Sequence, residues 1–300
     1  MSNPRIGFIG IGMMGHGMAK NLVTKGFALT FMVHRDRSKI GDLVAAGAKE
    51  AKTPAEVAAA SDVVILCVTG SPQVEANVFG DNGLLGAARA GLLVVDTSTA
   101  EPESTAKIRA AFEAKGATFV DAPLARTPKE AEEGRLNTMV GASDADFEKV
   151  KAVFGAFCEN VFHVGPPGAG HTLKLVNNFM AMSVVASIAE AFAVASKAGV
   201  RTDMLFKVVS MGAINSPIFQ MMAGGAVEGD LTRMKFAIAN AAKDMRYYTH
   251  LAESLPVPSF VGEAVHQSFE LAVAMGLGDR MVPSMIELQE KVNQMQIIKR

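Results

Sequence analysis

Apolar residues fall into short unbroken runs over the first half of this chain and into helical spacing over the second. Residues 6–9, 29–33, 63–68, 92–95 and 118–120 are continuous apolar stretches, with the length and composition of strands buried on both faces. Between them, 14–25, 54–60 and 103–115 carry helical periodicity. Strand and helix in alternation predict a parallel sheet with helices on both sides, a doubly wound Rossmann-type α/β domain. A hairpin-like return is expected from strands at 137–140 and 161–164. After Gly165 the strand pattern ends. Helices are predicted from 169 to about 197 and at 202–211, 231–253, 258–275 and 283–296, punctuated by Gly and Pro. The segment Gly165-Pro166-Pro167-Gly168 therefore separates an α/β domain, 1–165, from an all-helical domain, 166–300.

Composition narrows the class. The chain has 300 residues, 49% hydrophobic and 20% charged, enough to build two cores in a soluble globular protein. Lys plus Arg number 29 against 30 Asp plus Glu, so no basic surplus exists to hold a nucleic acid. Cys67 and Cys158 lie outside any CxxC spacing, which fits a reducing compartment. The N-terminus runs from a short polar lead into a strand and a glycine loop, not a signal peptide; a cytoplasmic protein is expected. The uncharged run 179–189 is too short and too rich in small residues for a membrane span. An all-apolar helix of this kind is expected to be buried between domains or subunits. No His, Cys and carboxylate cluster has metal-ligand spacing.

The first strand ends in Gly10-Ile11-Gly12-Met13-Met14-Gly15, a GxGxxG between strand and helix. Gly10 permits the tight turn, Gly12 lets the backbone approach a pyrophosphate, Gly15 lets helix and strand close up, and the helix N-terminus offers amide donors. The second strand ends at Val33-His34-Arg35-Asp36-Arg37. Basic residues there suit the extra phosphate of NADP, which is favoured over NAD; the alternatives are that Asp36 holds the ribose, as an acidic residue does for NAD, or that these are solvated loop charges. Thr99, in the loop after the fourth strand, either faces the nicotinamide or caps the next helix.

In GPPGAGHTLKLVNN (165–178), Lys174 and Asn178 are i and i+4 on one helix face, with Asn177 beside them. Burial and the positive end of a helix both disfavour a charged lysine. A lysine so placed exchanges a proton with an alcohol or carbonyl oxygen near neutral pH. The plainer reading is a lysine snorkelling at the rim. The catalytic one is preferred because the helix follows the domain boundary, where a cleft beside the cofactor is expected.

With GFIGIGMMGHGMAKNL (7–22), DAPLART (121–127), GPPGAGHTLKLVNN and Lys243-Asp244 in this order, the chain resembles the beta-hydroxyacid dehydrogenase family along essentially its whole length. The resemblance implies a Rossmann domain, an all-helical domain that mediates homodimers or homotetramers, and hydride transfer between a nicotinamide and a short 3-hydroxy acid or its acidic aldehyde, with 3-hydroxyisobutyrate or tartronate semialdehyde chemistry as the alternative. It implies Lys174 as proton donor and acceptor and Asn178, with Asn177, as substrate ligands. Lys243 would lie near both nicotinamide and substrate, and Thr99, Val68, Thr69 and Gln73 would line the cofactor. Without it, Lys243 would read as a solvated helix charge.

The chain departs from the family in two places. Its second strand reads one residue longer, which leaves open whether His34-Arg35 replaces the family's NADP-associated Asn-Arg pair. Most members have Ser-Gly-Gly where this chain has Ala125-Arg126-Thr127; sulfolactaldehyde reductase shares the Arg-Thr pair. Arg126 either grips an anionic group bidentately or turns outward to a glutamate such as Glu130, the first being slightly preferred. Asn177 and the chain length argue against 6-phosphogluconate dehydrogenase, and Lys174 argues against imine reductases and a non-catalytic nucleotide binder.

Overall fold

A computed structural model of the chain describes residues 3–34 and 37–298. It forms two compact units, divided between Lys174 and Leu175. The division lies several residues after the glycine-proline segment, because the first turns of the long helix belong with the sheet.

The first unit begins β1 (Ile6–Ile9), α1 (Gly15–Thr24), β2 (Leu29–Met32), α2 (Gly41–Ala45), β3 (Lys49–Glu50), α3 (Pro54–Ala60) and β4 (Val63–Leu66). It continues α4 (Ser71–Phe79), β5 (Leu93–Asp96), α5 (Pro102–Glu113), β6 (Thr118–Asp121), β7 (Leu124–Ala125) and α6 (Pro128–Glu133). It closes with β8 (Leu136–Gly141), α7 (Asp144–Phe154) and β9 (Cys158–Gly165). The strands form one sheet in the order β3-β2-β1-β4-β5-β6-β8-β7, with β9 on β8. From β3 to β6 every pairing is parallel.

Every residue of β1, β4 and β5 is buried, which is why these strands carry no polar alternation. Phe8, Ile65 and Val95 point into one core layer with Met18, Leu22 and Phe154. Val64, Leu66 and Val94 point into the other with Val57, Phe112 and Phe119. Each such large side chain contributes about 1.5–3 kcal/mol by leaving water.

The hairpin expected from 137–140 and 161–164 is absent. β8 and β9 are parallel, joined through α7, whose 11 residues supply the crossover that parallel neighbours need. The antiparallel return lies instead between β8 and both β6 and β7. β3 and β7 escaped notice because each has two residues, too few for a pattern.

The second unit is built from the body of α8 (Ala169–Lys197), α9 (Thr202–Ser210), α10 (Pro217–Phe219), α11 (Gly225–Glu228), α12 (Ile238–Ser254), α13 (Phe260–Ala272) and α14 (Met285–Asn293). Met182, Val185, Phe192, Met222, Ile238, Met245 and Phe269 form its core. The helix predicted at 231–253 begins only at Ile238. The helical segment 217–228 was not anticipated. Its Gly224-Gly225 pair reads as a loop, and burial of Met222, Ala223 and Ala226 overrides that local preference. At 29 residues, with an 18-residue window of mean hydropathy 1.7, α8 is long and apolar enough to cross a membrane by length and composition alone. Its Met182, Val185 and Phe192 nevertheless sit in the protein core. It is not buried on all sides, since Met180, Val184 and Val194 are exposed.

Gly17 shows how tightly α1 is set. A β-carbon there would lie 2.5 Å from the backbone of Ala131 at α6. Gly17→Ala is therefore expected to lower stability by roughly 1–3 kcal/mol through overpacking, read from the denaturant midpoint. Gly86→Ala, which meets nothing within 4 Å, should stay within about 0.5 kcal/mol of the wild type.

Candidate active site

The strand order reverses about β1 and β4, and in such sheets ligands bind outside the carboxyl ends at the reversal. Gly10 to Gly15 connect β1 to α1 at that point. Gly10 has φ +109°, and a β-carbon on it would come within 2.1 Å of the Cys67 carbonyl oxygen. One on Gly15 would lie 2.0 Å from the Gly10 carbonyl oxygen, whereas one on Gly12 would meet nothing within 4 Å. The outer glycines are thus required by packing, and the middle one lies under open space. No side chain caps α1 at Met14 and no acidic residue occupies its first turn. An open backbone loop ahead of an uncapped helix end fits a diphosphate. Ile11 is buried and Met13 exposed.

Beside this loop lies a depression of about 450 Å³ lined by Met13, His16, Ser38, Lys39, Asp42 and Glu132. His34 is exposed, and Arg35 and Asp36 lie outside the described residues. Arg37 is held by Glu50 through bonds of 2.8 and 2.7 Å. Ser38 and Lys39, not singled out from the sequence, are the polar groups of this loop that line the depression. His16 meets Glu132 at 2.5 Å and Asp42 at 3.0 Å. Burial disfavours its charged form, yet the bonds to these two carboxylates raise its pKa above the ordinary value.

The loops after β4 and β5 are joined. The Val68 amide donates to Ser98 Oγ at 3.0 Å, the Ser98 amide donates to Asp96 Oδ1 at 2.9 Å, and Thr97 Oγ1 donates to the Leu66 carbonyl at 2.6 Å. Val68 and Thr99 are half-buried, while Thr69 and Gln73 are exposed. The N-cap position of α5 is Glu101, two residues after Thr99.

The start of α8 is fixed by groups that the motif spacing did not reveal. Asp121, the last residue of β6, accepts from the Gly168 amide at 2.7 Å and the His171 amide at 2.9 Å. The His171 ring is fully buried; its Nδ1 lies 2.6 Å from Thr105 Oγ1 and its Nε2 3.7 Å from Asp96 Oδ2. Burial, the largest influence on Asp96, raises its pKa, against the pull of His171. A signal was present in the sequence, since DAP and GAGH are unusual polar placements at a strand end and a helix start.

Lys174 is half-buried, one turn after His171 on α8. Further along the helix, Asn178 is 8% exposed and donates to Asp244 Oδ2 at 2.6 Å, while exposed Asn177 donates to Asn178 Oδ1 at 3.3 Å. Lys243 Nζ lies 2.8 Å from Asp244 Oδ1 and 4.8 Å from the Tyr247 ring centre. Lys243 is not a solvated helix charge, its side chain being 14% exposed. The buried Asp244 carboxylate draws Asn178 and Lys243 together within the helical unit.

Arg126 is turned toward a glutamate in this structure. Its guanidinium pairs with Glu159 and donates to the Arg135 carbonyl, the alternative orientation, with Glu159 in place of Glu130. Glu130 instead completes a capping box with Thr127 on α6. Arg126 adopts φ +81°, a conformation suited to glycine, and follows half-buried Ala125 at the end of β7. Both cysteines are poor nucleophiles, since burial pushes Cys67 up to about 11 and Cys158 up to about 12. Among the described residues no group of His, Cys and carboxylates could hold a metal ion.

Comparison with known proteins identifies the family. Residues 5–165 match the family described as the NAD binding domain of 6-phosphogluconate dehydrogenase. Residues 168–289 match the family described as NAD-binding of NADP-dependent 3-hydroxyisobutyrate dehydrogenase. The 2-(hydroxymethyl)glutarate dehydrogenase of Eubacterium barkeri is 33% identical over 289 residues, 96% of this chain and 95% of the relative. The 3-sulfolactaldehyde reductase of Escherichia coli strain K12 is 32% identical over 275 residues, 91% of each chain. A crystal structure of 3-hydroxyisobutyrate dehydrogenase from Salmonella typhimurium superposes with a TM-score of 0.83 at 28% identity, covering 95% of this chain and 100% of that one. With both domain families matched in succession and full-length relatives above 30% identity, the chain belongs to the 3-hydroxyisobutyrate dehydrogenase, or beta-hydroxyacid dehydrogenase, family of NAD(P)-dependent oxidoreductases.

Proposed function

We propose that this protein reduces a compact anionic aldehyde, or oxidises the matching hydroxy acid, with Lys174 as the proton donor and acceptor. The observation that carries this reading is the anchoring of α8. Its first turn is bonded to Asp121 at the carboxyl end of β6, and Lys174 follows His171 by one turn. An amine there is carried at the sheet edge where a nicotinamide would lie. The bound nicotinamide supplies or accepts hydride at C4. Lys174 gives its proton to the substrate oxygen as negative charge develops there in reduction, and takes it back in oxidation. Asn178 and Lys243, held by Asp244, would orient the substrate, with Asn177 beside them. The backbone around Ala125, Arg126 and Thr127 would receive its acidic group.

NADP is the proposed cofactor, on the strength of Ser38 and Lys39 beside the phosphate loop. A homodimer or homotetramer is proposed through the helical unit, where Met180, Val184 and Val194 leave apolar surface exposed. One observation favours a second reading of the substrate loop: because Arg126 is committed to Glu159, it would support the loop without selecting the anion.

Lys174→Met should lower kcat by roughly 10²–10⁴-fold, the usual contribution of a positioned acid–base group, with NADPH affinity unchanged by fluorescence titration. Turnover within twofold of the wild type would refute the proton role. Lys39→Ala should weaken NADPH by about threefold or more, as loss of one exposed phosphate contact does, and leave NADH affinity unaltered. For Arg126→Ala, kcat/KM on sulfolactaldehyde and on succinic semialdehyde should fall by the same factor; a selective loss on the sulfonate would restore the clamp.

A further inference from the structure

The proposed reaction leaves three buried ionisable side chains of the first unit unused. Asp96 and Asp121 are each 1% exposed and His171 is fully buried. Space has been made for them. A β-carbon on Gly170 would lie 2.4 Å from the Met139 carbonyl oxygen and 2.8 Å from Asp121 Oδ2, and one on Gly141 would lie 2.7 Å from the same carboxylate oxygen. Two glycines therefore let the helix start and β8 close around one carboxylate. That carboxylate accepts the Gly168 and His171 amides, as a helix cap supplied from a distant strand.

The second tie runs through the ring of His171. Thr105 Oγ1 donates to the Glu101 carbonyl at 3.1 Å, which leaves its lone pairs for a proton on His171 Nδ1 at 2.6 Å. On that assignment, made from the bonding pattern, Nε2 is turned toward Asp96 Oδ2 at 3.7 Å. Among the described residues neither atom has a hydrogen-bond partner. Two buried polar atoms without partners are costly to keep unless they serve each other or a function. The other oxygen of Asp96 holds the Ser98 amide, and Ser98 Oγ holds the Val68 amide. His171 thus bonds α8 to Thr105 of α5 and faces Asp96 across 3.7 Å without a hydrogen bond, while Asp96 holds the loops that follow β4 and β5.

We propose that Asp96, Asp121 and His171 are positioning residues that set the height and rotation of the first turns of α8, and with them the Lys174 amine, against the loops at Val68 and Ser98. The proposal rests on the proton role of Lys174 and adds how that amine is held. Its consequence is a division of labour. Loss of a tie misplaces the amine while leaving the GxGxxG loop intact, so turnover falls without loss of nucleotide affinity. A misplacement on the order of 1 Å costs about 10²-fold in rate.

The test uses the full-length enzyme with His171→Gln, Asp121→Asn and Asp96→Asn. In Asp121→Asn, one amide N–H would face a backbone N–H in place of an acceptor. For each variant, kcat and KM are measured on succinic semialdehyde with NADPH, and Kd for NADPH by fluorescence. Independently of turnover, acetic anhydride labelling of Lys174 is measured by peptide mass spectrometry relative to Lys197, which is exposed at the far end of the same helix. The expected result is a fall in kcat of about tenfold or more, KM and Kd within about threefold of wild type, and a Lys174-to-Lys197 labelling ratio changed by at least about threefold. An unchanged labelling ratio, or a parallel rise in KM and Kd that marks general damage, overturns the proposal. If one substitution prevents folding, the other two carry the same test. Lys174→Met separates the two ideas: if it remains active the proton role fails, while the labelling ratios still decide whether these residues place the amine.

Discussion

The carboxylate of Asp121 is the constraint on which the rest of the candidate site depends. It terminates a central parallel strand and accepts two amides from the start of α8. Hydrogen bonds to a charged acceptor contribute about 1.5–3 kcal/mol each, and here both join elements about fifty residues apart in sequence. The helix start also supplies partial positive charge to the buried anion. The carboxyl end of β6 and the lysine-bearing helix are thereby tied to one another, and β-carbons on Gly141 and Gly170 would crowd the same carboxylate.

Around this point the first unit assembles two kinds of surface. The loop from Gly10 to Gly15 offers backbone only, because its outer glycines are pressed against Cys67 and Gly10 carbonyls and its middle glycine faces open space. A diphosphate is well served by amides that need no rearrangement. The loops at Val68 and Ser98, by contrast, are tied from beneath by Asp96. His171 faces that tie from the helix, so the surfaces for phosphate and for chemistry are supported by different networks and respond separately to substitution.

Arg126, an arginine in place of a small residue, reads in the sequence as an anion grip, while in this structure its guanidinium pairs with Glu159 and donates to the Arg135 carbonyl, and the pairing holds Glu159 below the usual carboxylate range. In the helical unit the reverse holds. Lys243 reads as a surface charge, yet Asp244 and the ring of Tyr247 retain it in a largely buried position, where an ammonium is held by charge pairing and ring contact.

The sequence by itself determined the α/β unit followed by helices, the placement of β1, β4 and β5, the glycine loop and the register of Lys174 and Asn178 on one helix. Each follows from a local rule: strands buried on both faces are predominantly apolar, a turn with φ +109° at Gly10 favours glycine, and helical spacing fixes which residues share a face. Only the tertiary structure decided that β8 and β9 run parallel, that 217–228 is helical, that Arg126 meets Glu159, and that Asp96 and Asp121 both meet His171 at the start of α8. Those outcomes depend on contacts between residues far apart in the chain, whose desolvation and pairing energies outweigh local preference, and no spacing along the sequence encodes them.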